Sequence, residues 1–174
     1  LRLHDQQFET LVAMLFAFAQ AESENMSQNI KWGIKRGFES GTSGYADFVC
    51  FGYKRDDDGR LTIDEPDAKI VRKLFEMRAS GKSLGAISDW LYEQGVFSPT
   101  GKSRWSRETI SKLLKNEKYL GDVLLQKTYV KDLFSGKQVK NAGEKNQYLY
   151  QEHHPAIISR ELFEKVNPKN NIEK

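Results

Sequence analysis

The sequence predicts an α+β fold: a long amino-terminal helix, a helix-turn-helix-like helical core and small antiparallel β-sheet elements. Three observations carry this expectation. Apolar residues recur three or four apart from Phe8 to Phe38, which is helical spacing. Ser83, Ser106 and Ser159 each stand where a short amphipathic run begins. Short alternating runs follow, divided by glycine-bearing turns.

The first run predicts a helix from about Asp5 to Phe38, reaching about 50 Å at 1.5 Å per residue. Its segment L-V-A-M-L-F-A-F-A, Leu11 to Ala19, is apolar on more than one side. One face is therefore expected on its own chain and the other on a partner. Lys31, Lys35 and Arg36 follow in a more polar second half, and Gly37, Gly41 and Gly44 are expected to end the helix in a linker.

F-V-C-F-G-Y-K-R, then D-D-D-G and R-L-T-I-D, reads as a hairpin turning at Asp58-Gly59. The acids also suggest a calcium loop, but its first ligand position would hold Lys54, a cation where a carboxylate is required. Glu65 to Ala79 places Ala68, Ile70, Val71, Leu74, Phe75 and Met77 in helical order before Gly81. Ser83 caps a helix burying Ile87, Trp90 and Leu91 and ending at Gly95. Ser106 caps a third, with Ile110, Leu113 and Leu114 inward and Arg107, Ser111, Lys112 and Lys115 outward. Beyond it, D-V-L-L-Q-K-T-Y-V, G-K-Q-V-K and Q-Y-L-Y-Q are expected strands, with turns at Ser135-Gly136 and Ala142-Gly143. Ser159 opens a last helix with Leu162, Phe163 and Val166 on one side.

Composition narrows the function. Of 174 residues, 39% are hydrophobic and 29% charged, enough for a core beneath a wet surface. No apolar run approaches the roughly 20 residues of a membrane span. Without a signal-peptide pattern either, a soluble cytoplasmic protein with no membrane association is expected. The single Cys50 excludes an internal disulfide and a cysteine zinc site within this chain, and no cofactor is indicated. His153-His154, if in a strand, would point to opposite faces and suit packing better than metal ligation. The net charge is +3, yet residues 100–140 alone carry ten bases against four acids. Such local excess is the footprint of a polyanion binder.

Arginine and lysine reach guanine edges or phosphates, and serine and threonine bond to either. A helix bearing Ser106, Arg107, Thr109, Ser111, Lys112 and Lys115 can therefore read a major groove. Lys102 and Arg104 add cations beside its amino terminus, where the helix dipole already attracts phosphate. The bare pattern also suits a stand-alone helix-turn-helix DNA-binding regulator.

The motifs in order carry a resemblance. A-Q-A-E-S-E-N-M-S, F-G-Y at Phe51 to Tyr53, I-D-E-P-D-A-K-I-V-R-K-L-F and G-K-S-L-G-A-I-S-D-W-L come first. G-V-F-S-P-T-G-K-S-R-W-S, I-S-K-L-L-K-N-E-K-Y-L-G-D and H-P-A-I-I-S-R-E-L-F-E-K-V complete them. Together they resemble the large serine recombinases, the integrases and transposon recombinases of phages and mobile elements. One departure is Cys50, where that family often has a proline before its aromatic-Gly-Tyr. The resemblance implies a long linker helix over 1–40, a recombinase DNA-binding domain over 41–166, and a truncated link onward over 167–174. It also implies that the serine-bearing catalytic domain and the zinc ribbon lie outside this chain. The parent would then be a site-specific recombinase recognising attachment-site DNA for integration or excision. This chain would be catalytically silent, with double-stranded DNA as its partner and self-association through the long helix. Lys31, Lys35 and Arg36 would track the DNA backbone and the adjacent minor groove.

Overall fold

The computed structural model describes residues 2–131 and 136–168, with side chains from Gln6 onward. The chain divides into two units, residues 1–44 and 45–174.

The first unit is α1 (Arg2–Ser40), a single helix. Gly37 lies inside it, contrary to expectation, because the left-handed turn that stops the helix falls on Gly41 (φ 70°). Ser40 Oγ donates to the Arg36 carbonyl at 2.9 Å, satisfying one carbonyl of the last turn. Along the helix Phe8, Leu11, Phe16, Phe18, Met26 and Trp32 are all exposed, Phe18 by 75%. Among the described residues no helix is long and apolar enough to cross a membrane.

The second unit begins with the hairpin β1 (Tyr53–Arg55) and β2 (Leu61–Ile63), paired antiparallel with Tyr53 opposite Ile63. Asp56 builds its turn by accepting the N–H groups of Asp58 and Arg60 on Oδ1. Asp56 thus has a structural use within the turn itself. Then come α2 (Glu65–Ala79), α3 (Leu84–Glu93) and α4 (Arg107–Leu114). After α2, Lys82 N–H reaches the Met77 carbonyl and Gly81 N–H that of Arg78; after α3, Val96 and Gly95 do the same to Leu91 and Tyr92. Both helices thus stop at a glycine in the left-handed region.

A short 3₁₀ turn, Glu117–Leu120, leads to β3 (Val123–Leu125), β4 (Thr128–Val130), β5 (Gln138–Lys140) and β6 (Tyr148–Tyr150). The run expected as one strand, D-V-L-L-Q-K-T-Y-V, is broken at Gln126 (φ 62°). Its halves take different partners, β3 pairing with β6 and β4 with β5, so one hairpin nests inside another pair. Asn141 latches the base: its Nδ2 donates to the carbonyls of Gln126 and Lys145, and its Oδ1 accepts from Gly143 and Lys145. Ser135 of the expected Ser135-Gly136 turn lies outside the described residues. The unit closes with α5 (Arg160–Val166), capped by Ser159.

The core is one cluster. Val71, Leu74 and Phe75 of α2, Ile87 and Leu91 of α3 and Ile110 of α4 have no exposed surface, and Tyr119, Ile157 and Phe163 join them. Each fully buried Leu, Ile or Phe contributes about 1.5–3 kcal/mol by leaving water, which makes this cluster the platform on which α4 rests.

Candidate nucleic-acid interface

Trp105 sets the position of α4. It is 2% exposed, its ring meets Phe51 edge-on at 5.1 Å, and Nε1 donates to the Val96 carbonyl at 3.1 Å. From α3, Ser88 Oγ donates to the Trp105 carbonyl at 2.7 Å. The preceding loop is a small closed turn, with Ser98 N–H on the Lys102 carbonyl and Gly101 N–H on the Ser98 carbonyl, both at 2.8 Å. The approach to the helix is thus rigid, and Lys102 stands exposed on it.

At the start of α4, Ser106 Oγ accepts the Thr109 N–H at 3.0 Å and lies 2.8 Å from Thr109 Oγ1. The two hydroxyls therefore build the cap. At 100° per residue, Ile110, Leu113 and Leu114 form the buried stripe, and Glu108 and Lys112 lie opposite it at the centre of the outward face. Lys115 shares that outward sector, Ser111 borders it, and Arg107 lies at one edge beside the buried stripe. Thr109 falls on the other, so helix geometry does not bring it together with Arg107 and Ser111 as expected. Arg107, Lys112 and the capping Lys115 are exposed, while Thr109 and Ser111 are half-buried.

The cations are partly paired. Arg104 bonds to Asp89 of α3 and sits over the Tyr92 ring at 5.8 Å. Lys112 Nζ meets Glu108 Oε1 at 2.7 Å, which holds the Glu108 carboxyl below its usual range. Arg107 lies over the start of α3, where a Cβ on Gly85 would come within 3.3 Å of its guanidinium. In the other unit, Lys35 pairs with Glu39 at 3.6 Å and Arg36 stacks over Trp32 at 4.5 Å.

Two basic residues counted in the charge excess are already engaged within the fold, one in the interior and one at the surface. Lys118 is buried, its Nζ donating to the carbonyls of Ala46 and Phe48 at 2.8 and 2.7 Å, and burial pushes its pKa down. Lys127 pairs at 2.6 Å with buried Glu117, which also accepts the Leu124 N–H. Buried Asp122 is likewise matched by Arg160 at 2.9 Å. The usable cationic surface is accordingly smaller than composition suggests.

The same turn gathers further contacts. Tyr53 Oη and His154 Nε2 both meet the Lys118 carbonyl, at 2.9 and 2.8 Å. Gly121 (φ 82°) packs so tightly that a Cβ there would approach the His154 carbonyl to 2.4 Å. The histidines do not diverge as expected, because residues 151–154 form a turn in which Glu152 adopts φ 55°; their Nδ1 atoms stand 3.3 Å apart. None of these partners was visible as sequence spacing. The local signal was the run N-E-K-Y-L-G itself, too dense in large residues for an exposed turn.

Residues 65–171 match the Recombinase family, more than half of the chain, and the chain belongs to that family. This bears out the resemblance to large serine recombinases read from its motifs. The chain is 34% identical over 125 residues to the uncharacterized protein YbcK of Escherichia coli (strain K12), covering 67% of this chain and 24% of YbcK. Among solved structures it is similar to a crystal structure of an LSR–DNA complex, at 23% identity and TM-score 0.42, covering 68% of this chain and 30% of that one. A second, from work on the sequence requirements of the Listeria innocua prophage attP site, gives 24% identity and TM-score 0.43, covering 68% and 40%. The chain thus spans well under half the length of each of these relatives.

Proposed function

We propose that this chain is the DNA-binding region of a site-specific serine recombinase and selects the attachment site at which a mobile element integrates or excises. The observation that carries this reading is a Recombinase-family domain whose α4 presents Arg107, Ser111, Lys112 and Lys115 outward from a position fixed by Trp105. In a major groove, Arg107 at the edge, Lys115 at the carboxyl end of the helix and the loop cations Lys102 and Arg104 meet phosphates, while Glu108 and Lys112 face base edges. Ser106 and Thr109 hold the helix start that points at the backbone. Lys31, Lys35 and Arg36 supply further backbone contacts from α1, whose exposed apolar side chains carry self-association of the parent protein. Strand cleavage is the work of a serine in the parent recombinase, not of residues in this chain.

Titration of the chain with duplex DNA across a range of salt concentrations tests this. At about −0.9 for each neutralised phosphate, Lys102, Arg104, Arg107 and Lys115 contribute about −3.6 to the log–log slope, and engagement of Lys31, Lys35 and Arg36 steepens it toward about −6.3. Affinity indifferent to salt, or unchanged when Arg107 and Lys115 become alanine, overturns it.

A further inference from the structure

The centre of the outward face of α4 is held by an acid. Glu108 lies opposite the buried stripe, its side chain 76% exposed, with the 75% exposed Lys112 one turn on. A carboxylate there is costly for any partner that presents only phosphates, since like charges repel. Placed at the centre rather than the edge, however, it stands away from the groove walls where phosphates lie and faces the groove floor. The floor presents two hydrogen-bond donors, the N4 amino group of cytosine and the N6 amino group of adenine. A carboxylate is acceptor-only, and it matches cytosine N4; adenine presents its acceptor N7 beside its donor and is better met by an amide. The contact with Lys112 is an exposed pair one helical turn apart, weakly held, and opens readily for a stronger partner. Once open, Lys112 is free to donate to guanine O6 or N7 nearby.

Resting on the DNA-binding reading above, the geometry points to Glu108 as a specificity-determining residue that accepts a hydrogen bond from cytosine in the recognised site. Its position in the first turn also favours the helix amino terminus electrostatically. That role alone would leave base preference untouched, and the two are separable by experiment.

Duplexes are selected from a randomised pool by the wild-type chain, Glu108→Ala and Glu108→Gln, and the enriched sequences are compared position by position. Circular dichroism melting confirms that each variant is folded. The wild type is expected to enrich cytosine at one position, a preference that falls roughly tenfold in Glu108→Ala while other positions are kept. Glu108→Gln is expected to move the preference at that position toward adenine, because an amide pairs with adenine N6 and N7. Identical preferences in all three proteins, or a loss spread evenly over every position, overturn the assignment of Glu108 alone. Failure of the wild type to bind any duplex overturns the DNA-binding reading and this inference with it.

Discussion

Replacing Lys118 by methionine removes the ammonium while keeping most of the side-chain volume. In the native structure its Nζ donates to Ala46 through a buried bond of 2.8 Å and to Phe48 through a partly buried one of 2.7 Å. A hydrogen bond to a charged group is worth about 1.5–3 kcal/mol, and an orphaned buried carbonyl costs a similar amount. Water can reach the Phe48 carbonyl more readily than that of Ala46, so the loss falls mainly on Ala46. Removing an ammonium that burial disfavours gives part of it back. The net expectation is a loss of about 2 kcal/mol. Urea unfolding would report it as a lower midpoint at unchanged slope. Amide hydrogen exchange should quicken across residues 46–50, the segment those carbonyls tie down. A midpoint change worth less than about 0.5 kcal/mol, with exchange there unaltered, would refute the assigned role of the clamp.

Gly121→Ala forces a left-handed residue to carry a Cβ against the His154 carbonyl, and thermal unfolding should show a loss of at least about 2 kcal/mol. Trp105→Ala should cost about 3–5 kcal/mol in the same measurement and weaken duplex binding, whereas Trp105→Phe, which loses chiefly the bond to Val96, should cost about 1 kcal/mol. Acidification should also destabilise the protein. Burial, with the charges of His153 and Lys118 nearby, holds the His154 imidazole below its ordinary value of 6.5. The unfolded chain therefore takes up that proton first, and stability is lost as pH falls below about 6.5. Tm followed from about pH 7.5 to about pH 5.5 should fall more steeply in the wild type than in His154→Gln.

Where structure is local, the residues announced it. Helix α2 is legible end to end because its apolar period, Pro66 in the first turn and Gly81 just past the last all agree. Ser83, Ser106 and Ser159 each accept the N–H three residues on, as their positions implied. Where structure depends on distant partners, the reading failed. Nothing within D-V-L-L-Q-K-T-Y-V states that β3 and β4 belong to different pairs, since a break at a glutamine has no strong propensity behind it. Lys118, Glu117 and Asp122 look like surface charges until the elements that cover them are in place. For the candidate site, α4 and its cap were legible, and so were Arg107, Lys112 and Lys115 as exposed residues. Glu108 does not stand out among the surrounding cations, although helix geometry alone puts it at the centre of the face.

The nesting of β4–β5 inside β3–β6 bears on how this part of the molecule folds. The inner pair joins residues close in sequence, so its ends meet quickly and at small entropic cost; the outer pair spans a longer stretch and is slower to find unaided. Once the inner hairpin has formed, Gln126 and Asn141 are neighbours, and the chain left to close between β3 and β6 is effectively shorter. Loop-closure entropy predicts an order of assembly: inner pair first with the latch at Asn141, outer pair second, Asp122 and Gly121 drawn last against the turn that carries His154. Mutations at Asn141 should on this account slow refolding more than they speed unfolding.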